Sequence, residues 1–337
     1  MKILLLIDYR KQFYSSTKER EGGMDLELLK KYFNRQNHEL DIKYFHEIDF
    51  RKDNYAGVPV LYQSSEDPGL KYKDYIEDIL AGFLYQGAIL IPDFFKFRAH
   101  HNKVFMEIYR DLSNYPDIQK IKSKVFGTLE DCLNYSKKIQ FPAVLKPSEG
   151  SKSNGVKLAH NAKQLKFQAC QISSSPTIAN IKRYLKNLFD KKGYKKTSPN
   201  RKKFIVQNFI PNLNGDYKIL VYSDKYYILH RKNRDNDFRA SGSGKLSFPD
   251  CPPKELLDYA EKIFKYFNVP FISIDVAEIK KTYYLLEFQF LSFGQYTLEK
   301  SKFYWKKNNG NWNKIEESTI LEEQFAKSIA EYINKIT

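Results

Sequence analysis

Residues 272–289 read Ile272-Ser-Ile-Asp275-Val-Ala-Glu-Ile-Lys-Lys-Thr-Tyr-Tyr-Leu-Leu-Glu287-Phe-Gln289, two apolar-rich runs around a charged turn. Strand side chains alternate faces, so Glu287 and Gln289 share one face while Leu286, Phe288 and Phe290 take the other. A turn centred on Lys281 sets Asp275 directly opposite Glu287 on the neighbouring strand. Carboxylates facing each other across a ladder repel. A cation between them removes the conflict, and oxygen donors with no His or Cys nearby suit magnesium rather than zinc. The plain alternative is two solvated carboxylates on an exposed sheet face.

Two other segments carry the same kind of signal. In Phe141-Pro-Ala-Val-Leu-Lys146-Pro-Ser-Glu-Gly150-Ser151-Lys-Ser-Asn-Gly155-Val156, a lysine ends an apolar strand, where burial without an anionic partner is costly. The Gly/Ser loop after it offers backbone N–H groups to phosphate oxygens. It is not a Walker P-loop, because Val156 and Lys157 stand where Gly-Lys adjacency and a Ser/Thr are required. In Asp237-Phe-Arg239-Ala-Ser241-Gly-Ser-Gly-Lys245, an arginine before an exposed Gly/Ser stretch suits a forked donor for a phosphoryl group or carboxylate. Plain surface connections explain either loop equally well.

Outward from these segments, the first hundred residues alternate strand signals (2–7, 41–45, 58–62, 88–91) with helical spacing (24–33, 72–84). That alternation predicts a parallel, doubly wound sheet. Ligands bind beyond the carboxyl ends of strands in such sheets, which makes residues 63–69 a candidate substrate edge, against a simple Pro-Gly turn. From His101 the pattern changes to a helix at 103–112, a strand near Val125, a helix at 129–137 and strands at 141–145 and 156–159. Strands at 204–209, 217–222 and 226–230 follow, with a hairpin turn at Ser223-Asp224-Lys225. A helix at 255–267, the hairpin at 271–290 and a helix at 321–333 close the chain. No internal repeat is evident.

The 337 residues suggest more than one domain, and 42% hydrophobic content excludes a disordered chain. The apolar run Ile3–Ile7 is far too short for a membrane span or an export signal, and reads as a buried strand. Three scattered cysteines (Cys132, Cys170, Cys251) with no CxxC pair indicate neither a disulfide framework nor a zinc site, and fit a reducing cytoplasm. The net charge of +16 raises nucleic acid or an anionic membrane surface as partners. Much of the excess is local: Lys182 to Lys203 holds ten Lys or Arg and one acid, Asp190. This stretch is either a solvated helix with a basic loop or a feature that attracts phosphates.

Order and spacing then combine the weak signals. Lys103 precedes a helix and Lys146 ends a strand 43 residues later. The glycine loop, Gln207-Asn-Phe-Ile-Pro211, Asp216-Tyr-Lys218, Asp237-Phe-Arg239, and Asp275 with Glu287-Phe-Gln289 follow. In this the chain resembles, over about residues 95–300, the ATP-grasp superfamily, which includes D-alanine–D-alanine ligase, glutathione synthetase and the ligases that add glutamate to a ribosomal protein. The resemblance implies an N-terminal doubly wound α/β domain (1–100) before two α+β grasp subdomains: a small one with the basic segment (101–205) and a large one with the metal site (206–337). It further implies that Lys103 and Lys146 bind nucleotide phosphates, that the Gly150-Ser151 to Gly155 loop closes over them, and that Gln207, Asn208, Phe209 and Ile210 read adenine through their backbone. Lys218 stands where the family places a basic residue beside the phosphates, Arg239 matches the arginine that stabilises the acyl-phosphate and tetrahedral states, and Asp275, Glu287 and Gln289 match magnesium ligands. Three positions depart from the family pattern: Gln289 where asparagine is usual, Asn208 where glutamate is common, and Ser241 where asparagine is expected.

The activity implied is an ATP- and magnesium-dependent, cytoplasmic carboxylate–amine ligase acting on small-molecule or peptide substrates through an acyl-phosphate. Lys146 and two magnesium ions would sit on the phosphates and Arg239 on the developing oxyanion. Nucleic acid is not expected as a partner, and the basic segment is expected to attract an anionic substrate. The general look of the chain, with its Ser64-Ser-Glu-Asp67 loop and long aromatic-rich N-terminal domain, rather than any motif, is similar to ATP-grasp proteins of bacterial surface-polysaccharide synthesis. Two rivals remain: a kinase that stops at phosphorylation, and a basic nucleic-acid-binding protein with a vestigial ATP site.

Overall fold

The apolar run at the N-terminus forms β1 (Lys2–Ile7), buried from Ile3 onward. After it come α1 (Leu26–Arg35), β2 (Glu39–Tyr44), β3 (Pro59–Leu61), α2 (Lys71–Tyr85), β4 (Ile89–Ile91) and α3 (Phe94–Ala99). The four strands are all parallel, in the order β2-β1-β3-β4, with α1 crossing from β1 to β2 and α2 from β3 to β4. Local chemistry sets the helix starts. The Asp25 carboxylate accepts the backbone N–H groups of Glu27 and Leu28, and Asp93 does the same for Phe95 and Lys96. The computed structural model describes residues 1–14, 22–67, 69–150, 154–175, 182, 185, 189, 197–235, 237 and 239–336. It divides into two compact units, Met1–His100 with Asn214–Thr337, and His101–Leu213.

The second unit contains α4 (Lys103–Leu112), β5 (Ser123–Phe126), α5 (Leu129–Tyr135), β6 (Ala143–Pro147), β7 (Lys157–Ala159), α6 (Ala162–Ser173) and β8 (Phe204–Asn208). Its strands form an antiparallel sheet in the order β5-β8-β6-β7. The core is built from Phe126, Cys132, Leu145, Leu165, Phe204 and Val206. Helix α6 gave no clear apolar stripe in the sequence because its inward face relies on Leu165, Ala169 and Ser173, two of them small.

Returning to the first unit, the chain adds β9 (Gly215–Tyr222), β10 (Lys225–Lys232), β11 (Leu246–Ser247), α7 (Lys254–Phe267), β12 (Phe271–Ile279) and β13 (Thr282–Gln289). Next come α8 (Tyr296–Lys300), β14 (Tyr304–Asn308), β15 (Asn311–Ile315) and α9 (Leu321–Ile336). A sheet runs β13-β12-β9-β10-β14-β15, with β11 beside β10. One continuous core joins this sheet to the parallel one. Phe325 of α9 lies at its centre, its ring 5.7 Å from Phe13, 5.6 Å from Tyr14, 6.5 Å from Phe33 and 5.1 Å from Phe271. Among the described residues, no helix is long and apolar enough to cross a membrane.

Candidate nucleotide and metal site

Strands β12 and β13 are joined by a two-residue turn, Lys280 (φ 46°) and Lys281 (φ 64°), so that Ile279 pairs with Thr282. The turn is therefore centred between the two lysines rather than on Lys281. A regular ladder from there would set Leu286 opposite Asp275. Instead the register shifts between Asp275 and Val276, and Asp275 pairs with Glu287 and Ser273 with Gln289. The extra residue is Leu286, half-buried between the buried Leu285 and Phe288. Simple alternation grouped Leu286 with Phe288 and Phe290; the bulge removes it from that face. Directly opposite residues point the same way, so Asp275, Ser273, Glu287 and Gln289 present their side chains on one face.

The next strand over extends that face. Lys218 of β9 pairs with Asp275 in register, and its Nζ lies 3.8 Å from Asp275 Oδ1 and donates to Ser273 Oγ at 2.9 Å. Beyond it, Arg231 of β10 sits opposite Asp216 of β9. Arg231 donates from Nε to Asp216 Oδ1 at 2.6 Å and from Nη2 to Asp216 Oδ2 at 2.8 Å. The same Nη2 is 2.7 Å from Asp275 Oδ2. Burial pushes the Asp216 carboxyl up to about 6, with the Arg231 charge opposing the rise and Asp275 adding to it. Burial would lower the Arg231 pKa, but the carboxylates of Asp275 and Asp216 override it and raise it. Arg231 is thus held charged between two acids. Sequence reading passed over it, although the Ser223-Asp224 turn fixes a register in which position 231 faces 216.

The donor set fits a hard divalent cation. Asp275, Glu287 and Gln289 offer only oxygen ligands, in register on two adjacent strands, with no nitrogen or sulfur ligand among them. The positive groups at Lys218 and Arg231 oppose a bare cation there and favour one that arrives with the negative charge of phosphates. Arg239 lies in the segment after β10, folded back on Asp237: its Nε donates to Asp237 Oδ1 at 3.0 Å and its Nη2 to Oδ2 at 2.5 Å. Those bonds hold the Asp237 carboxyl below the usual range and raise the Arg239 pKa.

The nucleotide-binding candidates lie in the other unit. Lys103 opens α4, and its Nζ donates to the Gly150 carbonyl at 2.7 Å, which brings this lysine to the glycine loop. Gly155 adopts φ 74°, and a Cβ there would stand 3.1 Å from Pro147 Cγ, so the loop's end requires glycine. Lys146 pairs with Ile205, and Val144 with Gln207, so Lys146 and Gln207 project from one face of the β6–β8 pair. Gln207 is 4% exposed, with no hydrogen-bond partner on its Nε2. Asn208 ends β8, and Phe209 and Ile210 follow it, each partly buried. In the proposed substrate edge, Gln63 accepts from Tyr14 N at 2.6 Å and donates to the Gln12 carbonyl at 3.0 Å, so this side chain ties two loops together. Ser151, Pro68 and most of the basic stretch, including Lys191, Lys192, Lys195 and Lys196, lie outside the described residues.

No protein-family model matches the sequence. The alpha-aminoadipate–LysW ligase LysX of Saccharolobus solfataricus is 25% identical over 189 residues, 55% of this chain and 59% of that protein. The match therefore spans less than two thirds of that relative. D-cycloserine synthetase DcsG superposes with a TM-score of 0.58 at 12% identity, covering 98% of this chain and 99% of its own. A RimK domain ATP-grasp protein from Sphaerobacter thermophilus gives a TM-score of 0.52 at 13% identity, covering 99% and 100%. The fold is that of the ATP-grasp proteins. The relatives it matches in sequence and structure include ligases and synthetases.

Proposed function

We propose that this protein is an ATP-dependent carboxylate–amine ligase. The observation that carries the reading is the facing pair Asp275 and Glu287, with Gln289 and Lys218 on the same face of the sheet, in a chain of ATP-grasp fold. The γ-phosphoryl of ATP passes to an oxygen of the substrate carboxylate, releasing ADP. The amine nitrogen then attacks the acyl carbon, the C–O bond to phosphate breaks, and the amine gives up a proton as the amide forms. The intermediate is useful because phosphate leaves carbon far more readily than a carboxylate oxygen does.

The chain's own residues divide the work. Lys103 and Lys146 bind phosphate oxygens as point charges, the loop from Gly150 through Ser151 to Gly155 covers them, and Gln207 to Ile210 hold the base. Lys218 balances charge beside the phosphates. Arg239, once its guanidinium turns from Asp237 to substrate, stabilises the oxyanion that develops on attack. Asp275, Glu287 and Gln289 would hold magnesium, which when bound neutralises phosphate charge during transfer. The division into a leading domain (1–100), a small grasp subdomain (101–205) and a large one (206–337) belongs to the same reading, as does a cytoplasmic setting. An anionic substrate drawn by the basic segment fits it too.

An ADP-release screen across pairs of carboxylates and amines tests the proposal. ADP should form fastest with both partners present, and a carboxylate labelled with oxygen-18 should deliver one label to phosphate. A stable phosphorylated product with no amide would mean a kinase instead.

A further inference from the structure

Arg231 holds two carboxylates unequally. It makes two hydrogen bonds to Asp216, from Nε at 2.6 Å and Nη2 at 2.8 Å, and its nearest approach to Asp275 is the same Nη2, 2.7 Å from Oδ2. A forked pair is stronger than a single contact from a donor that is already shared. Asp216 is also the more enclosed acid, 9% exposed at its side chain against 18% for Asp275. Any species that competes with Arg231 therefore reaches Asp275 first, and the guanidinium stays on Asp216 when Asp275 leaves it. Resting on the metal reading above, we infer that Arg231 is a built-in, exchangeable counter-ion for Asp275: it occupies that carboxylate until a divalent cation takes it, and Asp216 retains the displaced guanidinium. Arg231 acts as a positioning residue that keeps Asp275 aimed, while setting how tightly the cation binds.

The two residues then have opposite effects on cation affinity. Removing the competitor in Arg231→Met should tighten binding, about tenfold for one charge–charge contact of this kind. Loosening its anchor in Asp216→Asn should direct the full guanidinium charge at Asp275 and weaken binding several-fold, roughly the same order. A purely structural ion pair would not send the two variants in opposite directions. The probe is Mn2+, followed by loss of its free-ion electron paramagnetic resonance signal, with ADP at one fixed concentration in every sample. Wild type and Asp275→Ala come first. If they bind Mn2+ equally, the metal reading fails and this inference with it. If Asp275→Ala loses the ion, the metal reading stands and the other variants judge the exchange. Tighter binding in Arg231→Met with weaker binding in Asp216→Asn supports it; unchanged or equally weakened binding in both overturns it. Should Arg231→Met not fold, Arg231→Gln takes its place and is judged by the same outcomes.

Discussion

At the scale of single residues, Asp275 faces Glu287 across the ladder, with Lys218 Nζ 3.8 Å and Arg231 Nη2 2.7 Å from its carboxylate. Lys146 belongs to the other unit, near the end of an apolar strand. Lys146→Ala should weaken ATP binding about tenfold, the loss of one charge-assisted contact. Equilibrium titration with a fluorescent nucleotide reads this directly, and wild-type affinity would leave the lysine no part in nucleotide binding. Asp275 and Glu287 were read as a pair from a turn centred on Lys281; the true turn lies half a residue earlier, and the bulge at Leu286 restores the pairing. The insertion of Leu286 was not legible, since the bulge is what lets Leu285 and Phe288 both face inward, and that depends on the packing beneath. Arg231 could have been found by counting from the Ser223-Asp224 turn.

Among the elements, the β12–β13 hairpin carries two lysines in the left-handed region at its turn, a conformation that costs about 1 kcal/mol per residue outside Gly, Asn and Asp. Lys280→Asn with Lys281→Gly supplies the residues such turns favour, and should stabilise the protein by roughly 1–2 kcal/mol in denaturant unfolding. A midpoint unmoved, or lowered, would mean the lysines contribute contacts that offset the strain. The β14–β15 hairpin shows the opposite case: Asn309 (φ 49°) and Gly310 (φ 81°) already form the preferred turn. That Asn-Gly pair was readable in the sequence and marks a hairpin that periodicity alone left out. Helix α6 escaped for a different reason, because small inward residues leave little hydrophobic contrast. The long strands β9, β10, β12 and β13 and the helices α4 and α7 were evident within two residues of their ends.

For the molecule as a whole, the first unit takes in residues from both ends of the chain, a return that linear order does not reveal. Its continuity rests on α9, where Glu322 Oε1 also accepts the Asp25 backbone N–H at 3.0 Å. Phe325→Ala removes the ring shared by Phe13, Tyr14, Phe33 and Phe271, and should cost about 3–5 kcal/mol of unfolding free energy. A loss under about 1 kcal/mol would show that the core closes without it. The ATP-grasp fold itself was within reach of the sequence because several weak motifs kept a fixed order, although none was specific alone. We propose that the Asp275–Glu287 face serves magnesium-dependent use of ATP. That role is tested most directly by ADP formation in wild type, Asp275→Ala and Glu287→Ala at saturating magnesium, with folding checked by thermal melting. Each substitution should lower the rate by at least about a hundredfold while the protein still melts cooperatively. Turnover at the wild-type rate in both variants would contradict the account.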